Sequence, residues 1–307
     1  MRRRGLLRRA ADRAELAAVR AAMGLTAPLS ADRLARVAAS LGRRISPRVP
    51  TLRRRVAENL RALRGGAEPD RAEVRALCAA CGAEFAQTVA EYWRLPELAA
   101  DPSRLSVTGA DALAEALAGG RGAVIVTAHF GQWEAIRLAV RRVAGRDCAL
   151  IYRAFNNPLV DAVAQANIRP AGEPVLHKGR EGMRALLRHV AGGGAALILI
   201  DQRQTGAPLI PFLGVPAETA TAAAELARRF GAALIPARGL RVGTGRFEAA
   251  FGPEIPPGEP EAMTAAANAA LSEWIEAAPE QWLWFHRRWR RRPRGERMRA
   301  ARGREAD

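Results

Sequence analysis

The chain has 307 residues, 49% of them hydrophobic, and a formal net charge of +17. That apolar fraction excludes a disordered chain, and the length gives room for one large core or two modest ones. Lys178 is the only lysine, so the positive charge is almost all arginine, and such a surface seeks phosphate.

Residues 1–64 mix arginine with Leu, Ala and Val at helical spacing. Leu6, Leu7, Ala10 and Ala11 form an apolar patch among Arg2, Arg3, Arg4, Arg8 and Arg9. That pattern fits a helix lying on an anionic membrane, and it fits equally a solvated helix packed on the body of the protein. Gly65, Gly66 and Pro69 mark a break, after which RAEVRALCAACGAEFAQTVAEYWRL reads as one amphipathic helix. Within it lie Cys78 and Cys81. No second Cys/His pair stands at finger spacing, so the two are read as small buried helix residues and no metal is expected. With Cys148 they are too few for a disulfide framework and suit a reducing compartment. No run reaches the roughly 18 apolar residues of a spanning helix. The N-terminus also lacks a signal-peptide core, which points to the cytoplasm.

From about residue 120 the texture changes to short apolar runs after Gly-rich turns, at 124–127, 149–152, 197–200 and 233–237. Helical patterns lie among them at 134–143, 158–166, 181–190 and 218–230, and a further strand is expected at 246–251. Strands alternating with helices predict an α/β fold with a mainly parallel sheet covered on both faces. The chain closes on ten arginines between Arg287 and Arg304, interrupted by Pro293 and Gly295, which reads as a flexible basic tail at 291–307.

The stretch VIVTAHFGQWEAIRLAV (124–140) carries the candidate chemistry. A spacing of five would turn His129 and Glu134 apart on one helix, so the pair requires a strand, a bend at Gly131 and then a helix start. A second His or Cys for metal ligation is absent nearby. A carboxylate that orients a histidine is instead the arrangement of a general base. Asp201 ends its strand as His129 ends another, and in an open parallel sheet both face one crevice; Asp201 and Gln202 could hold substrate or order the site, or Asp201 could cap a helix. Arg153 sits near the same edge, suited to a phosphate or an oxyanion, while Asn157 and Pro158 read as the start of a helix. QWLWFHRRW could be an aromatic and basic belt at a membrane surface or a core element.

HFGQWE, YRAFNNPLVD, LILIDQ and PEQWLWFHRRW, in that order, resemble the lysophospholipid acyltransferase superfamily, and within it the late acyltransferases of lipid A biosynthesis. The resemblance implies an acyltransferase domain at 65–290 behind membrane-associating helices at 1–64. It implies a dyad in which His129 deprotonates an acceptor hydroxyl and Glu134 orients it, with no cofactor. The donor implied is an acyl carrier protein thioester, the acceptor a phosphorylated glycolipid often bearing Kdo sugars. The resemblance also places a functional arginine near Arg169. The expected location is the cytoplasmic face of the inner membrane, peripheral or monotopic on an anionic surface. The alternative is the same chemistry on another glycolipid or phospholipid, with acyl-coenzyme A as a possible donor. The charge raises nucleic-acid binding as a third reading, but no nucleic-acid motif is present and no such partner is expected.

Overall fold

A computed structural model describes residues 5–289, without the side chains of Leu6 and Leu7. The expectations for Arg2, Arg3 and Arg4 and for the tail at 291–307 lie outside the described residues. Helices come first: α1 (Leu6–Thr26), α2 (Ala31–Ile45), α3 (Pro50–Leu63), α4 (Arg71–Trp93) and α5 (Leu95–Ala100). Then follow β1 (Leu105–Thr108), α6 (Asp111–Ala118), β2 (Ala123–Thr127), α7 (Glu134–Ala144), β3 (Cys148–Tyr152), α8 (Pro158–Ile168), β4 (Val175–His177), α9 (Arg180–Ala191) and β5 (Ala195–Leu199). The last part holds β6 (Leu209–Phe212), β7 (Val215–Glu218), α10 (Ala222–Phe230), β8 (Ala233–Gly243), β9 (Arg246–Phe251) and α11 (Pro260–Ala277).

The protein is an α/β fold around a sheet of order β1-β9-β8-β2-β5-β3-β4, in which the β8–β9 pair is antiparallel and every other pair parallel. β2 reads as an unbroken apolar run because both of its faces are covered. Val124 and Val126 pack with Leu186 of α9, Leu226 of α10 and Leu271 of α11. Ile125 points the other way, into Leu113 and Leu117 of α6 and Ile136 and Val140 of α7.

Most expected elements appear within two residues of their expected limits. The helix expected at 218–230 starts only at Ala222, because Val215–Glu218 forms a hairpin with Leu209–Phe212. Its two-residue turn, Leu213 and Gly214, has both φ angles positive, at 48° and 72°, the twist that matches paired strands. β8 runs on to Gly243 because β9 folds back along it.

α4 is a single helix, as expected, capped by Asp70, whose carboxylate accepts from the N–H groups of Ala72 and Glu73. It is not one-faced: it packs on α2, α3, α8 and the turn at Pro279–Gln281 and is buried on several sides. Burial pushes the Cys78 thiol up to about 11 and that of Cys81 well above its ordinary value, which makes both inert packing residues. α3 shares this core, with Val56 and Leu60 in the same cluster as Val124. α1 is tied down by Asn157, whose amide donates to Asp12 O and Glu15 Oε2. Among the described residues no helix is long and apolar enough to cross a membrane.

Candidate active site

β2 and β5 are parallel neighbours with Thr127 opposite Leu199, so the second residue beyond each strand meets its counterpart. These are His129 and Asp201. Asp201 Oδ1 lies 2.8 Å from His129 Nδ1, and Oδ2 accepts the backbone N–H of His129 at 3.0 Å. A third donor, Trp282 Nε1, reaches Oδ2 at 2.9 Å. Burial drives the Asp201 carboxyl up, but the His129 ring and these hydrogen bonds outweigh it and bring the group down to about 2. A permanently ionised carboxylate on Nδ1 fixes the proton there and leaves Nε2 as the acceptor. Nε2 is on the exposed side, with the Gln202 amide nitrogen 3.4 Å away, and the edge of Trp133 packs on the ring.

Glu134 stands in the first turn of α7, as the spacing requires, but its carboxylate belongs to a different group. Oε1 accepts the Tyr92 hydroxyl at 2.9 Å, and Oε2 pairs with Arg137 at 2.5 Å, with both charged side chains fully buried. Arg137 goes on to donate to Cys148 O and Gly172 O, which ties α7 to the start of β3. The carboxylate on His129 is therefore that of Asp201 rather than Glu134. The reason is geometric: a helix-first-turn side chain is drawn to the buried arginine one turn on, whereas adjacent parallel strands deliver Asp201 straight to the ring. Trp133 packs against both His129 and Tyr92 and links the two groups.

The turn at 129–133 is held by backbone and by a buried charge network. Gly131 has φ 53°, and a Cβ there would collide with the carbonyl oxygen of Gly239. Its N–H donates to Gln281 O, and its carbonyl accepts from Thr88. Beneath it Arg241 pairs with Glu91 and Glu84, and Gln132 donates to Glu91 at 3.0 Å.

PEQWLWFHRRW is core, not an exposed belt. It is a short 3-10 turn at Pro279–Gln281 followed by an irregular segment that turns at Trp284 and Phe285, in which Leu283 N donates to His129 O and Phe130 bridges Trp282. Trp282, Trp284 and Arg288 are all buried. His286 Nε2 accepts the backbone N–H of Arg203 at 3.1 Å and so grips the loop that carries Asp201. The sequence singled out this motif without revealing these roles, since an indole or imidazole reaching across the chain leaves no local pattern.

Arg153 is exposed at the carboxyl end of β3, on the same sheet edge as His129 and Asp201. Arg169 has no direct contact with His129 or Asp201, although its charge acts on the Tyr152 hydroxyl at the end of β3. It follows α8, which starts at that edge and runs back, and it lies beside a loop whose Gly172 meets Arg137 near the start of β3. Its contact is Glu173, at 3.8 Å and exposed. A small hollow beside His129 is lined by Phe85, Thr88, Trp133, Gln281 and Leu283.

Comparison with known proteins places the sequence among acyltransferases. The chain is 28% identical over 197 residues to the lipid A biosynthesis lauroyltransferase of Escherichia coli K12, covering 62% of this chain and 63% of that protein. It is 29% identical over 198 residues, with the same coverage, to the palmitoleoyltransferase of that strain and to a lipid A biosynthesis acyltransferase of Shigella flexneri. The chain thus spans just under two thirds of the length of these relatives. The model of the bacterial lipid A biosynthesis acyltransferase family matches residues 9–291, nearly the whole of the sequence, and the chain belongs to that family.

Proposed function

We propose that the protein transfers a fatty acyl chain from an acyl thioester to a hydroxyl of a lipid A precursor, with His129 as general base. The observation that carries this reading is the Asp201 carboxylate on His129 Nδ1, which leaves Nε2 free to accept a proton on the exposed side of the ring. The relatives, named as lauroyl and palmitoleoyl transferases of lipid A, support the acceptor class. In this mechanism Nε2 takes the acceptor's proton as its oxygen bonds to the thioester carbonyl carbon. The tetrahedral oxyanion then collapses, the C–S bond breaks, and the proton on Nε2 passes to the departing sulfur. Asp201 stabilises the imidazolium between these steps. Gln202 donates from its amide to the acceptor or the oxyanion, and Arg153 attracts a phosphate of the acceptor. Glu134 acts at one remove, by holding the start of α7 and, through Trp133, the face of His129. Acyl carrier protein, an acidic partner, is the donor that the net charge of +17 favours, and the enzyme works from the cytoplasmic face of the membrane.

The test is to incubate the purified protein in detergent with a panel of acyl carrier protein thioesters and a Kdo-bearing tetra-acylated lipid A precursor, and to weigh the lipid by mass spectrometry. One added acyl mass is expected, and His129→Ala lowers its rate by about 10²–10⁴-fold. An added mass only on another glycolipid or phospholipid, or only from acyl-coenzyme A, keeps the chemistry and replaces the acceptor or donor. Full activity in His129→Ala removes the mechanism.

A further inference from the structure

α2 buries Ala31, Leu34 and Ala35 and, on the flank that continues from Leu34, presents an exposed apolar row. Val37, Leu41 and Ile45, spaced at four-residue steps, are 48%, 50% and 54% exposed. On α4 Phe85 and Val89, one turn apart, are 42% and 41% exposed. The two helices run antiparallel. Arg94, just past the end of α4, donates to Leu29 O beside the start of α2, while further along a Cβ on Gly42 would strike Gly82 and Ala86. At 3.6 residues per turn this pairing puts Leu41 and Ile45 on the same side of the helix seam as Phe85 and Val89. Large apolar side chains exposed in one strip on two packed helices mark an interaction site rather than ordinary surface.

The charge beside the strip indicates its partner. Arg33, Arg36, Arg43 and Arg44 are exposed on the flank of α2 away from α4, and among the described residues none of the four is ion-paired. The acid on α2, Asp32, is already held by Arg104 at 2.6 Å. An apolar row edged by unpaired arginines matches the boundary of an anionic bilayer, with acyl chains on one side and phosphates on the other. Phe85 belongs both to this strip and to the small hollow beside His129, so the strip ends next to the candidate active site.

We infer that the α2/α4 face rests on an anionic lipid bilayer and that the lipid acceptor reaches His129 from the bilayer past Phe85. The inference rests on the reading that the acceptor is a lipid, and it assigns docking to a different surface from the Leu6, Leu7, Ala10 and Ala11 patch of α1.

The full-length protein is sedimented with vesicles of phosphatidylethanolamine and phosphatidylglycerol, and separately with phosphatidylcholine vesicles. Binding to the anionic vesicles is expected, and the triple variant Val37→Ser, Leu41→Ser, Ile45→Ser weakens it by about tenfold or more. The variant retains wild-type transfer to an acceptor presented in detergent. Should the triple variant misfold, Leu41→Cys carrying an environment-sensitive fluorophore gives the same answer, since Cys78, Cys81 and Cys148 are buried and do not label. Its emission shifts to the blue on anionic vesicles, while the same probe at Arg184→Cys on α9 does not move. Wild-type protein that fails to bind, a triple variant that binds as tightly, or a silent probe at position 41 overturns the proposal. So does a variant that loses affinity for acyl carrier protein and keeps its affinity for vesicles, since the face then belongs to an acidic protein. Vesicle binding needs no turnover, so an inactive protein that still docks through position 41 overturns only the catalytic reading.

Discussion

Asp201 receives three hydrogen-bond donors in a nearly dry site, and its charge is what sets the His129 tautomer. Asp201→Asn keeps the shape and removes the charge, so the ring can settle with the proton on the wrong nitrogen. The expected fall in kcat is on the order of 10³–10⁴-fold with the fold intact. The same group couples stability to acid. An unfolded Asp titrates near about 3.9, whereas the folded carboxyl is held down to about 2. A depressed folded value means that the stabilisation is complete above about pH 4, on the order of 2 kcal/mol, and is lost as the pH falls towards 2. Denaturant titrations of wild type and Asp201→Asn should show a stability gap that narrows between these limits; a gap that does not change with pH refutes the assignment. His286 is depressed for another reason. Burial holds its imidazole below the ordinary histidine value, with Asp201 opposing that and His129, Arg288 and Arg55 adding to it. Its stabilisation is therefore present above about pH 6.5 and is lost as the pH falls, as the neutral Nε2 that accepts from Arg203 is protonated. His286→Gln, whose amide oxygen can accept the same N–H, should retain most of kcat and lose this pH dependence. His286→Leu leaves the N–H unpaired, and a lower kcat with an unchanged affinity for the acceptor is expected; equal activity of the two variants indicates that the loop needs no grip.

At the scale of elements, the helix start at Glu134 is held by charge and the bend before it by glycine. Removing Glu134 alone leaves Arg137 charged and unpaired in a fully buried site, a loss of about 3–5 kcal/mol. Replacing both, as Glu134→Leu with Arg137→Met, should recover most of that stability, read as thermal midpoints of the three proteins; a double variant as unstable as Glu134→Ala shows that the pair is not the source. Gly131→Ala has no such remedy, because the positive φ and the collision with Gly239 both oppose it. The bend at Gly131 and the helix from Glu134 were legible in the sequence, as were the ends of β2 and β3, because glycine and continuous apolar runs are local signals. The partner of His129 was not. Which of two carboxylates reaches a ring is decided by strand register, Thr127 opposite Leu199, and by an arginine one helical turn away that attracts Glu134 first. The short strands β6 and β7 escaped notice for a related reason: Pro211 and Pro216 break their pattern, and only mutual pairing defines them.

Over the whole molecule the alternation of strand and helix announced the class of fold, since each strand with two covered faces must be apolar throughout. Where the N-terminal helices lie was beyond composition. Arginine with alanine and leucine suits a solvated helix and a packed one alike, and it is the close approach of Gly42 to Gly82, with Val56 and Leu60 in the sheet's core, that sets them against the body. The arginine-rich close showed the same ambiguity: Arg288 is buried, donating to Glu218 O and Thr219 and lying over Phe212, although its neighbours in sequence read as tail. What the net charge of +17 does retain at this scale is a long-range field. If that field gathers an acidic donor, kcat/KM for an acyl carrier protein thioester should fall on the order of tenfold as salt rises well beyond physiological strength, where screening shortens the field to a few ångströms. The loss should lie in KM with kcat unchanged, because steering ends before chemistry begins. A neutral N-acetylcysteamine thioester of the same acyl chain, which the field cannot steer, should show no such slope. Equal slopes for the two donors mean that salt acts on the acceptor or on the bilayer contact, and the field then serves the lipid rather than the carrier.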